Sequence, residues 1–123
     1  METTGASPAE RLRVYHLALR LNDQVHELIE LSGCSPSRAD QVRRAADSVV
    51  LNIAEGAAQF SPGQKIRYYQ IAYGSTAECL AAIELLRRGN PRLLVQPPRF
   101  NAKMVQAMLV SLIEHQELRR AAK

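Results

Sequence analysis

Apolar residues recur every three or four positions in four separate stretches of this 123-residue chain. That spacing lines one face of an α-helix, and no window keeps the two-residue alternation of a β-strand for long. Four amphipathic helices joined by short links predict an all-α fold, an antiparallel up-down four-helix bundle, with residues 1–123 forming a single domain. The predicted helices span about residues 8–31, 36–58, 62–88 and 100–121.

Caps and prolines set these predicted boundaries. Ser-Pro pairs that begin at Ser7, Ser35 and Ser61 each offer a capping hydroxyl followed by a proline suited to the first helical position. Gly33 is a candidate left-handed residue at the end of helix 1. The Pro97-Pro98 pair should delay the start of helix 4 until about residue 100.

The face of each helix that should lie in the core follows from the same spacing. A chain of this length buries roughly two-thirds of its unfolded surface, so such a core needs no disulfide or metal. The expected core residues are Val14, Leu17, Ala18, Leu21, Val25 and Leu28 in helix 1; Val42, Ala46, Val49, Val50 and Ile53 in helix 2; Tyr69, Ala72, Tyr73, Thr76, Leu80 and Ile83 in helix 3; and Met104, Met108, Leu109, Leu112 and Ile113 in helix 4.

Helix 1 carries more apolar surface than one core-facing stripe needs. Leu12, Tyr15, Leu19 and Ile29 lie off the main row. One interpretation is a deeply packed first helix, and the other is an interface between subunits. We favour the interface, because a bundle this small has little interior left to cover a second face. A homo-oligomer is therefore expected.

Composition excludes several classes of protein. Hydrophobic residues make up 46% of the chain, which rules out wholesale disorder. Aromatic residues make up 5%, which argues against RNA readers that stack bases on an aromatic platform. The net charge of +4 is uneven, because residues 1–60 hold 6 basic and 8 acidic side chains while residues 61–123 hold 10 and 4. The second half of the chain is therefore the basic half.

Motifs for a cofactor, a metal or a membrane are missing from the sequence. Cys34 and Cys79 have no histidine in ligand spacing, so we expect free thiols in a reducing compartment. The lone Asp23-x-x-His26 pair lacks the second motif that a di-metal bundle needs. Residues 1–8 do not resemble a signal peptide, and no apolar stretch is long enough to span a membrane. We expect a cytoplasmic protein without cofactor or metal.

A row of polar residues runs along the otherwise apolar second helix. The spacing i, i+4, i+8, i+11 joins Arg44, Ser48, Asn52 and Glu55. In helix 3, Ser75 and Glu78 share a row beside Gly74. A glycine inside a helix costs about 1 kcal/mol relative to alanine. It is tolerated where another backbone comes close, so helices 2 and 3 are expected to cross tightly at Gly74 and Ser75.

Such a crossing predicts a buried hydrogen-bond network that fixes the register of the two helices. The alternative is an acid–base active site, but no histidine or cysteine falls on these rows. We therefore favour a structural role and expect no catalytic residue and no enzymatic activity. The predicted network comprises Arg44, Ser48, Asn52, Glu55, Ser75 and Glu78.

The same residues resemble a known family, the small bacterial four-helix-bundle proteins first recognised as products of intervening sequences in 23S ribosomal RNA genes. The resemblance implies a left-handed bundle in a ring-like homopentamer and a role in binding nucleic acid. Related bundles are accessory proteins of diversity-generating retroelements, where they bind RNA and a reverse transcriptase. The residues that carry the resemblance are Arg43-Arg44-Ala45-Ala46, Ser48, Asn52-Ile53-Ala54-Glu55-Gly56, Ser61, Tyr69 and Ile71-Ala72-Tyr73-Gly74-Ser75-Thr76-Ala77-Glu78.

One departure from the family pattern concerns the link after helix 2. The family usually carries a basic residue after the Glu-Gly pair, whereas this chain has Ala57-Ala58-Gln59-Phe60. A basic phosphate-binding loop is therefore not expected at that point.

Two basic clusters are the candidate nucleic-acid site. In an antiparallel bundle one pole joins the start of helix 3 to the end of helix 4, and the other joins the end of helix 3 to the start of helix 4. Repeated around a ring, such clusters would attract the phosphates of RNA or DNA without sequence preference. The candidate residues are Lys65, Arg67, Arg119, Arg120 and Lys123 at the first pole, and Arg87, Arg88, Arg92, Arg99 and Lys103 at the second.

The leading hypothesis is a non-catalytic accessory or scaffold protein that binds nucleic acid. No helix-turn-helix, zinc-finger or RNP pattern is present, so base-specific readout is not expected. The alternative is a structural or protein-interaction bundle that binds no nucleic acid. In that case the arginines of the last helical turns simply complement the carbonyl ends of their helices.

Overall fold

A computed structural model describes residues 6–122 and places the chain in an all-α bundle, with no strand among those residues. Lys123 lies outside the described residues. A short 3-10 turn precedes four long helices. The turn is Ala9–Arg11, and the helices are α1 (Arg13–Ser32), α2 (Pro36–Ala58), α3 (Pro62–Gly89) and α4 (Gln96–Ala121).

Each helix contacts two neighbours around a common core. The contacts of α2 with α3 and of α3 with α4 are the most extensive, and α1 closes the bundle against α2 and α4. The diagonal contact between α1 and α3 is much smaller. No described helix combines the length and the apolar character that crossing a membrane requires. The large side chains that are fully buried are Leu21, Val25, Val42, Val49, Ile53, Ile83, Val105 and Leu109.

The predicted caps of α2 and α3 are confirmed. The Ser35 hydroxyl accepts from the Arg38 N–H at 3.1 Å, and the Ser61 hydroxyl accepts from the Gln64 N–H at 3.2 Å. Each serine thus satisfies one of the N–H groups that the first helical turn leaves without a partner. At the end of α1, Gly33 has a φ of 69°, the left-handed conformation expected of it.

The start of α1 differs from the prediction. Ser7 and Glu10 form reciprocal hydrogen bonds, Ser7 N–H to the Glu10 carboxylate at 2.7 Å and Glu10 N–H to the Ser7 hydroxyl at 3.4 Å. This capping box encloses the 3-10 turn rather than α1. Leu12 is extended, with φ −98° and ψ 126°, so α1 begins only at Arg13. Its N-cap position carries no side-chain cap.

The start of α4 also differs, because it begins at Gln96 and not near residue 100. The Pro97-Pro98 pair lies inside the first turn and does not block it. The N–H groups of a first turn have no intrahelical acceptor, so two prolines remove nothing there. The first helical bond is made by the Arg99 N–H, which donates to the Val95 carbonyl at 3.0 Å.

The core faces of α1 and α2 match the prediction, whereas those of α3 and α4 are rotated slightly. In α3, Cys79 is fully buried and Tyr73 is 39% exposed. In α4, Val105 is fully buried and Met104 is 37% exposed. Both differences arise because α3 and α4 carry apolar residues on much of their circumference, so the apolar spacing alone does not select the inner face.

Candidate nucleic-acid interface

Half of the predicted polar network forms at the interface of α2 and α3. The Ser48 and Ser75 hydroxyl oxygens are 2.7 Å apart. The Asn52 side-chain amide donates to the Ser48 hydroxyl at 3.0 Å and to the Ser48 carbonyl at 2.9 Å. Ser75 is 9% exposed. These three residues, the hydroxyl–amide triad, therefore join the two helices through uncharged groups.

The three charged members of the predicted network lie outside the triad. Arg44 forms an ion pair with Asp40 at 2.9 Å, and both side chains are mostly exposed. Glu55 is exposed and accepts from the Gln59 amide at 3.2 Å. Glu78 is exposed on a shallow surface depression that Arg44 also lines. Burying a carboxylate is far more costly than burying a hydroxyl, which explains this separation.

Gly56 packs tightly against a ring of α3, whereas the predicted close approach of α2 and α3 at Gly74 and Ser75 involves Ser75 and not Gly74. A Cβ on Gly56 would lie 2.7 Å from Tyr69 Cε1 and 2.8 Å from Cδ1. Tyr69 is 2% exposed, and this burial raises the pKa of its phenol. Gly74 is exposed, and a Cβ there would meet nothing within 4 Å. The glycine that helix packing requires is therefore the last residue of the Asn52–Gly56 motif.

Lys65 has a structural contact that the sequence did not suggest. Its Nζ donates to the Ala57 carbonyl at 2.9 Å and to the Gly56 carbonyl at 3.3 Å, so a side chain from α3 caps the last turn of α2. Partial burial, and to a lesser extent the charge of Arg119, lower the pKa of the ammonium. No sequence pattern marks this cap, because its acceptors are backbone atoms.

The other candidates of the first pole that the structure describes also have partners. Arg120 pairs with Glu117 at 2.6 Å, and its guanidinium lies beside Gly63, where a Cβ would be 3.4 Å from Nη1. Arg119 donates to the Gln116 side-chain oxygen at 2.8 Å. The Arg67 guanidinium carbon is 6.0 Å from the centre of the Tyr68 ring. The start of α3 and the end of α4 thus lie at the same end of the bundle.

At the second pole, a single carboxylate binds two arginines. Arg87 donates to Glu84 through Nη2 at 2.7 Å and Nε at 3.0 Å, and Arg88 donates through Nε at 3.0 Å. These hydrogen bonds, that of Arg87 first, lower the pKa of Glu84 to about 2. We refer to Glu84, Arg87 and Arg88 as the Glu84 clamp. Its carboxylate cancels part of the charge of the two arginines.

The link between α3 and α4 is held in place by its own hydrogen bonds. The Leu93 N–H donates to the Asn90 carbonyl at 3.1 Å, and the Arg92 N–H donates to the Asn90 side-chain oxygen at 3.2 Å. Leu93 packs against the core and Val95 is 5% exposed, so both anchor the link. Arg92 precedes the first anchor, and Leu94 lies between the two anchors. Both residues are exposed.

Three cations around this link form what we call the link cluster: Arg92, Arg99 and Lys103. Arg99 and Lys103 are four residues apart and thus share one face of α4. Within residues 6–122, no ion pair or side-chain hydrogen bond engages any of the three. Phe100, which is 65% exposed, lies between the two α4 cations in the sequence. The link and the start of α4 thus combine three cations without a carboxylate partner with one exposed aromatic ring.

Comparison with protein families identifies the class of bundle. The family model described as 23S rRNA-intervening sequence protein matches residues 10–91, more than half of the chain. The chain belongs to this family. The family's name refers to ribosomal RNA and so suggests an association with RNA. A separate comparison with curated proteins gave no match.

The family model of the 23S rRNA-intervening sequence proteins covers only some of the structural features described above. The hydroxyl–amide triad, Gly56 and the Glu84 clamp all lie within residues 10–91. The match ends at Pro91, one residue before the link cluster begins. The family assignment therefore rests on α1 to α3, and the cations of the link and of α4 are features of this chain beyond the match.

In this family member, most of the apolar residues of α1 that lie off the main row pack inside the bundle. Ile29 is 5% exposed, and Leu12 and Tyr15 pack against the core. Leu19 is 38% exposed. These positions support the interpretation of a deeply packed first helix over that of an interface centred on α1. Among the described residues no group of three metal-binding side chains occurs.

Proposed function

We propose that this protein is a non-catalytic accessory or scaffold protein that binds RNA or DNA through its phosphates, without sequence preference. The link cluster carries the proposal. Arg92 lies in the hydrogen-bonded link, Arg99 and Lys103 lie near the start of α4, and none of the three has a carboxylate partner among residues 6–122. Unpaired surface cations release condensed counterions when they meet nucleic-acid phosphates, which drives binding. The RNA-related family name supports the same ligand class.

The contacts described above narrow the set of candidate residues. Lys65 caps α2, and Arg120 has its own carboxylate partner. Arg87 and Arg88 share Glu84 and remain near enough to add charge to the link cluster. The pole formed by the end of α3 and the start of α4 is therefore the preferred nucleic-acid surface, and the opposite pole is secondary.

We further propose that the helices run antiparallel and that the subunits assemble into a ring-like homo-oligomer, a pentamer by resemblance to the family. Gly56, late in α2, meets Tyr69 early in α3, and Ser48 meets Ser75 further along, which supports opposite directions. Large exposed apolar side chains such as Leu51 (65%) support burial between subunits. Mass photometry tests the assembly, and a monomer at micromolar concentration would contradict it.

Fluorescence anisotropy with a labelled mixed-sequence RNA tests the binding function. The affinity should fall linearly on a log–log plot as salt increases. Replacing the link cluster (Arg92→Ala, Arg99→Ala, Lys103→Ala) should weaken binding and reduce the salt slope by up to about three. The matched control removes the same charge from α1 and α2 (Arg13→Ala, Arg20→Ala, Arg43→Ala). Absence of RNA and DNA binding at low salt, or equal losses in both triple variants, would refute the proposal.

A second candidate function is protein–protein interaction without nucleic acid. The observation that favours it is the exposure of Phe60 (96%), Leu94 (74%) and Leu118 (73%), which leaves apolar surface at both ends of the bundle. If the triple link-cluster variant retains full RNA affinity while the wild-type protein pulls down a defined partner, this second function is the better description.

A further inference from the structure

We propose that the α3–α4 link surface selects unpaired RNA, with the Phe100 ring stacked on a base and the link cluster on the neighbouring phosphates. This inference rests on the proposed nucleic-acid binding and specifies its ligand and its geometry. The surface comprises Phe100, Leu94 and the three cations of the link cluster.

The exposure of Phe100 is not explained by packing within the subunit. The side of α4 that faces the core is supplied by Pro98, Ala102 and Val105, which are buried. Phe100 lies away from these positions and is 65% exposed. Exposing a phenyl ring to water is unfavourable, and packing the ring against another group would remove that cost. A surface that combines an exposed ring with cations is therefore suited to a ligand that has both π faces and negative charge.

The placement of the cations fits a single strand of nucleic acid. Lys103 follows Phe100 by three residues, one turn along the same side of α4, and Arg99 directly precedes the ring. Arg92 lies in the hydrogen-bonded link that precedes α4 and is exposed. A base stacked on the ring would therefore have one α4 cation before it and one after it along the helix axis for neighbouring phosphates. This arrangement resembles in its chemistry the combination of stacking and phosphate contacts by which proteins hold unpaired strands.

Duplex RNA cannot use the ring in this way. Its bases are stacked on one another and its major groove is too narrow for side chains, so only phosphates and the shallow minor groove are available. Stacking on one ring tolerates any base, so the preference concerns strandedness and not sequence. A single stacking ring differs from the multi-aromatic platform that the low aromatic content of the chain argues against.

The test compares an unstructured mixed-sequence RNA with the same strand annealed to its complement. The wild-type protein should bind the single strand more tightly than the duplex. Phe100→Ala should weaken single-strand binding about tenfold and leave duplex binding unchanged, because a base–aromatic stack contributes on that scale. Phe60→Ala is the matched control, since it removes an even more exposed phenyl ring from the opposite end of the bundle. Circular dichroism confirms that both variants fold.

A fluorescence signal tests stacking directly, because the natural chain contains no tryptophan. Phe100→Trp should retain single-strand affinity, and the emission of its only indole should be quenched by the single strand and not by the duplex. Phe60→Trp should show little quenching with either RNA. Equal affinity of wild type for both RNAs, together with unchanged binding in Phe100→Ala, would overturn this inference and leave the proposed function intact. Loss of all RNA binding in the wild type would overturn both.

An acidic protein segment is the other ligand class that a basic surface with an exposed ring could accept. If Phe100→Ala abolishes capture of an acidic peptide while single-stranded RNA affinity stays unchanged, the surface is a protein-docking site and the inference is overturned. If single-stranded RNA competes with such a peptide and quenches Phe100→Trp, the inference is supported.

Discussion

The Ser48 and Ser75 hydroxyl oxygens lie 2.7 Å apart and form the one hydrogen bond that joins a side chain of α2 to a side chain of α3 among residues 6–122. Asn52 completes the triad from one turn further along α2. Uncharged groups of this kind can be buried at low cost when each finds a partner, and they penalise any shift of one helix along the other. The triad therefore specifies register between the two helices with the most extensive contact.

A double-mutant cycle on this pair should show coupling. Ser48→Ala and Ser75→Ala should each lower the free energy of unfolding by about 1 kcal/mol, because each leaves the other hydroxyl without its partner. The double variant should lose less than the sum, since no hydroxyl is then left unsatisfied. Urea unfolding followed by circular dichroism measures all four proteins. Strict additivity would mean that the 2.7 Å contact contributes nothing to stability.

The two glycines of the α2 and α3 motifs should respond in opposite directions to alanine. Gly56→Ala should destabilise the protein by about 1–3 kcal/mol, because the new methyl would overlap the buried Tyr69 ring. Gly74→Ala should stabilise it by about 1 kcal/mol, since the position is helical, exposed and open. Thermal unfolding of the two variants provides the comparison. If Gly74→Ala instead destabilises the protein, another backbone lies close to Gly74 and the expectation is contradicted.

The sequence predicts the helices well because their signals are local. Hydroxyl caps at Ser35 and Ser61 and the left-handed Gly33 act within a few residues, and all three are confirmed. The predicted start of α4 near residue 100 is wrong because a proline pair can either precede a helix or occupy its first turn. Only the packing of Pro98 and Val95 in the core decides between these alternatives.

The candidate site is less predictable because it depends on which atoms meet across helices. The spacing of Ser48, Asn52 and Glu55 identifies a polar row along α2. It does not reveal that Ser48 lies at the interface with α3 while Glu55 is exposed to solvent. The contact of Lys65 with two backbone carbonyls of α2 leaves no trace in the sequence. The sequence predicts all three cations of the link cluster as candidates. Only the structure shows that they lack the carboxylate partner that a cation such as Arg120 has.

Lys65 should be important for stability and not for RNA binding. Lys65→Gln should lower the free energy of unfolding by about 1 kcal/mol, because the last carbonyls of α2 lose a cationic donor. Its RNA affinity should change no more than that of Arg67→Gln, an exposed cation nearby that serves as the matched control. Urea unfolding and anisotropy are measured on both variants. A large loss of RNA binding confined to Lys65→Gln would assign the residue to the interface instead.

Cys79 should make the fold sensitive to alkaline conditions. Burial, with a smaller contribution from Glu78, raises the pKa of its thiol from 9.0 to about 12. Between these values the unfolded chain has released the proton and the folded chain retains it, so stability falls as pH rises. The expected loss is about 1.4 kcal/mol for each pH unit above about 9. Tyr69, whose pKa is also raised, adds to the loss at higher pH.

The Cys79→Ala variant isolates this contribution. Urea unfolding of both proteins across the alkaline range should give curves that converge as pH rises, because only the wild-type chain loses the stability associated with the thiol. Parallel curves would show that Cys79 does not titrate differently in the folded and unfolded states.

The Glu84 clamp should restrain RNA binding at the second pole. Glu84→Gln removes the carboxylate that Arg87 and Arg88 share, so the positive charge of both guanidiniums is no longer compensated. We expect tighter RNA binding and a steeper dependence of affinity on salt, because more counterions are released. Glu117→Gln is the matched control, since it frees Arg120 in the same i, i+3 geometry at the other end of the bundle.

The same carboxylate gives the clamp a pH dependence of a defined sign. The pKa of Glu84 is lowered from 4.5 to about 2 by its arginine partners. The stabilisation is therefore fully present above about pH 4.5 and is lost as pH falls toward about 2, a loss that Glu84→Gln should abolish. Acid unfolding of the two proteins measures it.

If Glu117→Gln instead increases RNA affinity more than Glu84→Gln does, the nucleic-acid surface lies at the pole of Arg119 and Arg120 and not at the α3–α4 link.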